Sequence, residues 1–236
     1  MSDHSTVPFI VVAAGSGRRF GASLPKQYQP LLGQPLLAHT LKNLHDDPRI
    51  GPILPVIAPD GTALWDQWMA PCLAELPKLL PPIAGGEERQ ASVFAGLQAL
   101  THLRPEWVGV HDGARPFVTS EMIGRLLAAC RHDLAGVIVA LPVADTVKWV
   151  DAGRRIQETL DRDRTWLAQT PQLFRYESIV RAHNHARENG FLGTDDASLL
   201  ERLGLPVVVV PGDPRNIKVT RPEDLALLAT FLEALP

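Results

Sequence analysis

Short apolar runs alternate along the chain with longer segments whose apolar positions recur at helical spacing. The apolar runs, typical of buried strands, are residues 9–12, 53–57, 107–110, 137–141 and 207–210. Helical spacing marks residues 89–103, 121–130, 176–188 and 225–235. The last of these follows Thr220 and Glu223, which have the spacing of a capping box. The alternation predicts a single α/β domain over residues 1–236, Rossmann-like, with a mainly parallel sheet covered by helices on both faces.

The region from about residue 144 to 167 breaks this alternation. Two β-leaning runs, Thr-Val-Lys-Trp-Val from residue 146 and Arg-Arg-Ile-Gln-Glu-Thr-Leu from residue 154, flank an Asp-Ala-Gly turn. This pattern predicts a β-hairpin. Because the segment carries many charges and few core-type residues, we expect a projecting β-hairpin arm, and a second subunit is its simplest support.

Composition and charge exclude several classes of protein. Hydrophobic residues make up 45% of the 236 positions and charged residues 21%, which is typical of a globular chain. The net charge of −3 argues against nucleic acid or an anionic membrane as a partner. Two cysteines cannot form a disulfide framework or a zinc cage. No apolar run reaches the roughly 18 residues of a membrane span. We therefore expect a cytoplasmic protein without nucleic-acid or membrane partners.

A glycine turn, Ala-Ala-Gly-Ser-Gly at residues 13–17, follows the first predicted strand. Glycines here allow backbone N–H groups to approach phosphate oxygens. No Gly-Lys-Ser/Thr follows, so this is not a Walker A loop, and Phe20 stands where a dinucleotide site needs its third glycine. A tight β–α turn without a ligand would carry the same glycines. Arg18, Arg19 and Lys26, all within nine residues of the turn, favour a triphosphate.

A carboxylate follows the apolar run at residues 107–110, in the motif His-Asp-Gly-Ala-Arg-Pro. Ligands of open α/β sheets bind beyond the carboxyl ends of the strands. Asp112 could therefore orient a metal–phosphate complex or accept a hydrogen bond from a ribose or polyol hydroxyl. It could equally cap a helix or pair with Arg115 to fix the turn.

The histidines give no case for a metal centre. His183 and His185 stand two residues apart, so they do not share a helix face, and we expect both to be solvated. The remaining polar loop residues, taken singly, are typical of caps and turns.

Several motifs in chain order nevertheless resemble one family. They are Ala-Ala-Gly-Ser-Gly-Arg-Arg-Phe, Pro-Lys-Gln-Tyr, Gly-Gly-Glu-Glu-Arg, His-Asp-Gly-Ala-Arg-Pro, Asp-Thr-Val-Lys, Gln-Thr-Pro-Gln, Thr-Asp-Asp-Ala-Ser and Asn-Ile-Lys-Val-Thr. Over residues 9–235 the chain resembles the 2-C-methyl-D-erythritol 4-phosphate cytidylyltransferases of the non-mevalonate isoprenoid route. The resemblance implies a homodimer that transfers CMP from CTP to the polyol phosphate and releases pyrophosphate. It also implies a requirement for Mg²⁺, bound mainly through the CTP phosphates.

The resemblance assigns roles to residues of this chain. The transition-state stabilisers correspond to Arg19 and Lys26, and the substrate-positioning cations to Arg162 and Lys218. The nucleotide contacts correspond to Ala13, Ala14, Gly15, Ser16, Gly17, Gly86, Glu87 and Ser92. The contacts to the acceptor substrate correspond to Asp112, Arg115, Thr146, Thr170 and Thr194. The resemblance further implies that the arm crosses to a partner subunit and presents Thr146 and Arg162 to the partner's active site.

Two other functions stay open. A cytidylyltransferase for another polyol phosphate, such as ribitol 5-phosphate, would use the same chemistry, but those relatives often read Ala-Gly-Gly and His-Asp-Ala-Val-Arg-Pro in the two loops. A non-catalytic nucleotide-binding module would keep the glycine turn and lose the cations. Arg19, Lys26 and Lys218 are all present, which favours an enzyme.

Overall fold

The computed structural model describes residues 6–15, 20–21, 24–73 and 75–233. Its strands are β1 (Val7–Ala13), β2 (Pro30–Leu31), β3 (Gln34–Pro35), β4 (Ile50–Ile57), β5 (Ile83–Ala84), β6 (Trp107–Asp112), β7 (Gly136–Pro142), β8 (Lys148–Val150), β9 (Ile156–Thr159), β10 (Trp166–Arg175) and β11 (Val207–Pro211). Within the described residues, seven of them form a central sheet in the order β11-β7-β10-β6-β1-β4-β5. Only β10 runs antiparallel to its neighbours in this sheet.

Helices cover both faces of the sheet, as the sequence predicts. They are α1 (Leu36–Asp46), α2 (Thr62–Leu64), α3 (Ala70–Leu73), α4 (Arg89–Ala99), α5 (Ser120–Ala129), α6 (Tyr176–Glu188), α7 (Ala197–Arg202) and α8 (Pro222–Glu233). Helices α1 and α5 pack on one face, and α4, α6 and α7 on the other. In β1, Phe9 and Val11 contact the first layer and Ile10 contacts the second. Burial on both faces explains why this strand is continuously apolar.

Strand β10 is absent from the sequence prediction. Polar residues interrupt its apolar pattern, yet Gln169, Thr170 and Gln172 are all buried in the sheet. Their side chains find hydrogen-bond partners on other segments, such as Asp195 for Gln172. The local pattern of apolar and polar residues does not reveal distant hydrogen-bond partners, and therefore it did not predict this strand.

Two helix ends also differ from the expectation. Helix α4 ends at Ala99, and a short 3₁₀ turn follows it. The carboxylate of Asp224, rather than that of Glu223, accepts hydrogen bonds from the backbone N–H groups of Thr220 and Arg221. The predicted capping box is therefore wrong, although α8 itself is present.

Strands β8 and β9 pair as a separate hairpin, which confirms the predicted arm. The turn between them is held by Asp151, whose carboxylate accepts a hydrogen bond from the Arg155 N–H at 2.9 Å. The left-handed backbone falls on Arg154 and not on a glycine. Trp149 and Ile156 are each 62% exposed, so the arm presents apolar side chains to solvent. The last two predicted arm residues, 166–167, belong to β10.

No helix in the described part of the chain is both long enough and apolar enough to cross a membrane.

Candidate active site

A cleft opens at the carboxyl ends of β1 and β6, beside the first turn of α4. This is the place where open α/β sheets bind ligands. The structure brings together nine of the predicted site residues along its walls: Ala13, Ala14, Gly15, Lys26, Gly86, Glu87, Ser92, Asp112 and Lys218.

Asp112, the last residue of β6, forms the centre of charge in the cleft. Its Oδ1 accepts a hydrogen bond from Arg89 Nε at 2.9 Å, and its Oδ2 lies 2.8 Å from Lys218 Nζ. Arg115 Nε is farther away, at 3.7 Å. Burial alone would raise the pKa of Asp112, but the charges of Arg89 and Lys218 outweigh it and hold this pKa well below its usual range. Asp112 is therefore ionised, and both of its oxygens face cations.

Arg89, at the start of α4, extends this charge cluster into the interior. Its Nη1 lies 2.7 Å from Asp196 Oδ2, and Asp196 Oδ1 lies 3.2 Å from His183 Nε2. Burial would lower the pKa of Arg89, but Asp196 and Asp112 raise it overall, so the guanidinium stays charged. The expectation of a solvated His183 is wrong, because this ring is fully buried and stacks on Phe94. Sequence reasoning did not single out Arg89, whose only signal was the Gly-Gly-Glu-Glu-Arg motif.

Gln27 fastens the described part of the glycine turn. Its Nε2 donates to the carbonyl oxygens of Ala13, at 2.7 Å, and Gly15, at 3.2 Å. The adjacent Lys26 Nζ donates to the carbonyl oxygen of Val219 at 2.8 Å. The motif Pro-Lys-Gln-Tyr thus contributes a cation to the cleft and a clamp to the turn, and the sequence reasoning missed the clamp.

The opposite wall of the cleft is built around Ser92. The Ser92 hydroxyl accepts a hydrogen bond from the Gly86 N–H at 3.1 Å and donates to the Glu88 carbonyl at 3.1 Å. A Cβ on Gly85 would stand 2.6 Å from Ser92 Oγ and 2.8 Å from Ala14 Cβ. The wall and the glycine turn therefore approach each other so closely that only glycine fits at position 85.

A buried group of hydrogen bonds joins Asp112 to His111 and Thr170. His111 Nε2 lies 2.9 Å from the Arg115 carbonyl oxygen, and His111 Nδ1 lies 3.0 Å from Thr170 Oγ1. Since a carbonyl only accepts, Nε2 carries the hydrogen and the Thr170 hydroxyl donates to Nδ1. Thr170 Oγ1 also accepts from the Asp112 N–H at 3.0 Å. Burial lowers the pKa of His111 to about 4. In this arrangement the Thr170 hydroxyl donates its hydrogen to His111 and not to a substrate.

The remaining predicted site residues fall outside the cleft or outside the described residues. Three exposed residues do not line the cleft: Thr146, Arg162 and Thr194. Arg115 is largely buried, and its Nη1 donates to the Asn216 carbonyl oxygen at 2.7 Å. The predictions for Ser16, Gly17 and Arg19 lie outside the described residues.

Comparisons with known proteins agree with one another. The family model described as 2-C-methyl-D-erythritol 4-phosphate cytidylyltransferase (IspD) matches residues 7–234. A protein of that name from Syntrophus aciditrophicus (strain SB) is 47% identical over 225 residues, covering 95% of this chain and 94% of the relative. Another from Geobacter metallireducens is 45% identical over 230 residues, covering 96% and 98%. The crystal structure of 4-diphosphocytidyl-2C-methyl-D-erythritol synthase from Anaerococcus prevotii DSM 20548 superposes with a TM-score of 0.84, at 30% identity, over 98% of this chain and 100% of that one.

Proposed function

The chain belongs to the 2-C-methyl-D-erythritol 4-phosphate cytidylyltransferase family, and we propose that the cleft beside Asp112 carries out its reaction. The protein is a nucleotidyltransferase of the non-mevalonate isoprenoid route. It transfers CMP from CTP to 2-C-methyl-D-erythritol 4-phosphate and releases pyrophosphate. One observation supports this location above all. The glycine turn, Lys26, Lys218 and the ion-paired Asp112 meet in one cleft.

The positive groups of the cleft suit a reaction between two anions. The phosphate of the acceptor attacks the α-phosphorus of CTP, and the bond from that phosphorus to the pyrophosphate oxygen breaks. Negative charge builds on the non-bridging oxygens and the leaving group, where Lys26 and Arg19 would stabilise it. Lys218, held by Asp112, would orient the acceptor phosphate. A phosphate monoester is largely ionised near pH 7, so no side chain has to remove a proton.

The nucleotide is proposed to lie between the glycine turn and the wall built around Ser92. Backbone N–H groups of the turn would face the triphosphate, as they do in other phosphate nests. Gly85 lies so close to Ala14 that the wall and the turn would both be within reach of the base and ribose.

We propose that Mg²⁺ enters the cleft with CTP. Among the described residues, no three His, Cys, Asp or Glu side chains are grouped to hold a metal ion. Both oxygens of Asp112 face cations, so the ligands for Mg²⁺ would come mainly from the triphosphate. When bound, the ion would neutralise phosphate charge. Removal of divalent ions with EDTA should abolish transfer, and added Mg²⁺ should restore it. Full activity in EDTA would contradict this proposal.

The identity of the acceptor is testable against its nearest rival. The loops read Ala-Ala-Gly and His-Asp-Gly-Ala-Arg-Pro, which favours methylerythritol phosphate over ribitol 5-phosphate. Steady-state kcat/KM should therefore be far higher with 2-C-methyl-D-erythritol 4-phosphate at equal CTP and Mg²⁺. A preference for ribitol 5-phosphate would overturn the assignment.

We propose that the arm joins two subunits, and that the arm of each subunit completes the active site of the other. A two-stranded hairpin is marginal in water by itself, and this one exposes Trp149 and Ile156. Thr146 and Arg162 do not line the cleft of their own chain, whereas the family resemblance assigns both to substrate. Docking on a partner would account for both observations.

A mixed dimer of two inactive variants, Lys26→Ala and Arg162→Ala, tests this arrangement. If the sites are shared, one site of the mixed dimer carries both lesions and the other carries neither, so activity partly returns. If subunits exchange and the mixture stays inactive, Arg162 acts within its own chain and the shared site is refuted.

A further inference from the structure

A continuous line of polar side chains runs from the cleft to helix α6. It passes from Lys218 to Asp112, then to Arg89, Asp196 and His183, and every step joins two polar side-chain atoms that lie 3.2 Å apart or less. The inner end is dry, because the side chains of Asp196 and His183 are 1% and 0% exposed. Neither of these two residues lines the cleft. Arg89 links them to the cleft, because it contacts both Asp196 and Asp112.

A contribution to the stability of the fold does not by itself explain why charged side chains are buried along this line. Burying carboxylates with a guanidinium carries a large desolvation cost, and well-packed apolar residues often serve a core equally well. What the line does provide is a fixed orientation for Arg89. Among the described residues, Nη2 of this side chain has no hydrogen-bond partner, so the carboxylates of Asp112 and Asp196 anchor the guanidinium.

We propose that Asp196, backed by His183, is a positioning residue for the transfer reaction. Asp196 holds Arg89 so that its Nε faces Asp112, and Asp112 in turn holds Lys218. Without the Asp196 charge, Arg89 has Asp112 as its remaining partner of opposite charge and competes with Lys218 for that carboxylate. The proposal rests on the proposed function, because it assumes that Lys218 orients the acceptor phosphate.

The kinetic test uses Asp196→Asn, which keeps the shape and removes the charge. We expect kcat to fall by about 10- to 100-fold, as for a misplaced reacting group. Since the line ends at Lys218, KM for methylerythritol phosphate should rise by about fivefold while KM for CTP stays within about twofold. A purely structural role would reduce the amount of active enzyme and leave both KM values unchanged. Ile179→Ala is the matched control. Ile179 is fully buried on α6, one turn before His183, and lies outside the line. It should keep both KM values.

A pair of variants at His183 keeps the proposal testable if Asp196→Asn does not fold. His183→Gln retains an N–H donor for Asp196, whereas His183→Leu removes it. We expect the acceptor KM to be near normal in the glutamine variant and raised in the leucine variant. Equal KM values for the two variants, or an equal rise in both substrates' KM values, would overturn the proposal.

A spectroscopic measurement separates this proposal from the proposed function. The ¹H–¹⁵N signal of the Arg89 Nε–H, assigned with Arg89→Lys, should exchange slowly with solvent in the wild-type chain and rapidly in Asp196→Asn. Unchanged protection would refute the positioning role even if the enzyme is active. A wild-type chain that transfers no CMP would instead refute the proposed function, and the Arg89 signal would still decide the positioning role.

Discussion

Acidification should destabilise the protein through His111, the buried ring behind Asp112. Burial lowers its pKa to about 4 in the folded state, against about 6.5 in an unfolded chain. The unfolded state therefore binds the proton first, and stability present above pH 6.5 is lost as the pH falls towards 4. Linkage puts this loss at about 2 kcal/mol by pH 5 and about 3 kcal/mol by pH 4. Asp112 and Asp196, whose pKa values are lowered, lose their contribution mainly below pH 4, so the two windows differ.

Urea unfolding at pH 7, 6 and 5 measures this loss, with the protein concentration held constant. The comparison is between wild type and His111→Gln, in which every other titrating group is retained. Wild type should lose about 2 kcal/mol more than the variant between pH 7 and 5. Parallel pH dependences in the two proteins would refute the reasoning. So would an NMR titration that places the pKa of His111 near 6.5.

Three further predictions follow from contacts in the cleft and the arm. Asp112→Asn leaves Arg89 and Lys218 without their shared carboxylate. The free energy of unfolding should therefore fall by about 3–5 kcal/mol, and turnover should drop with it. Unchanged denaturation and kinetics would contradict the central role of Asp112. Gly85→Ala places a methyl group against the opposing wall and should raise KM for CTP more than KM for the acceptor; an unaltered KM for CTP would place the nucleotide elsewhere. Trp149→Ser removes an exposed apolar side chain of the arm and should weaken the proposed dimer in sedimentation at low concentration. A monomeric wild type, or a variant that dimerises as strongly as wild type, would contradict this prediction.

Local patterns predicted the layers of the fold, because a strand buried on both faces must be apolar at successive positions. Residues 107–110 therefore marked β6, and Asp112 was expected at its carboxyl end, where it lies. The family resemblance then supplied the roles proposed for the cleft residues. The single-domain organisation over residues 1–236 and the cytoplasmic location stay predictions.

What the sequence could not show are polar groups whose partners lie far along the chain. His183 pairs with Asp196, and Arg89 bridges Asp196 and Asp112 across three separate segments. Helical spacing reports which residues share a face, but not whether a distant carboxylate covers a histidine. For the same reason, the buried polar residues of β10 hid that strand.

The central claim is that the cleft beside Asp112 transfers CMP, and Lys26 offers the most direct test of it. Wild type and Lys26→Ala are each mixed with CTP, Mg²⁺ and 2-C-methyl-D-erythritol 4-phosphate, and ³¹P NMR follows pyrophosphate and the new diphosphate. CTP affinity is measured in parallel by calorimetry. The wild type should form both products, and the variant should do so about 100- to 1000-fold more slowly while binding CTP within a few-fold of wild type. A variant that keeps wild-type turnover, or a wild type that forms no diphosphate product, would contradict the account.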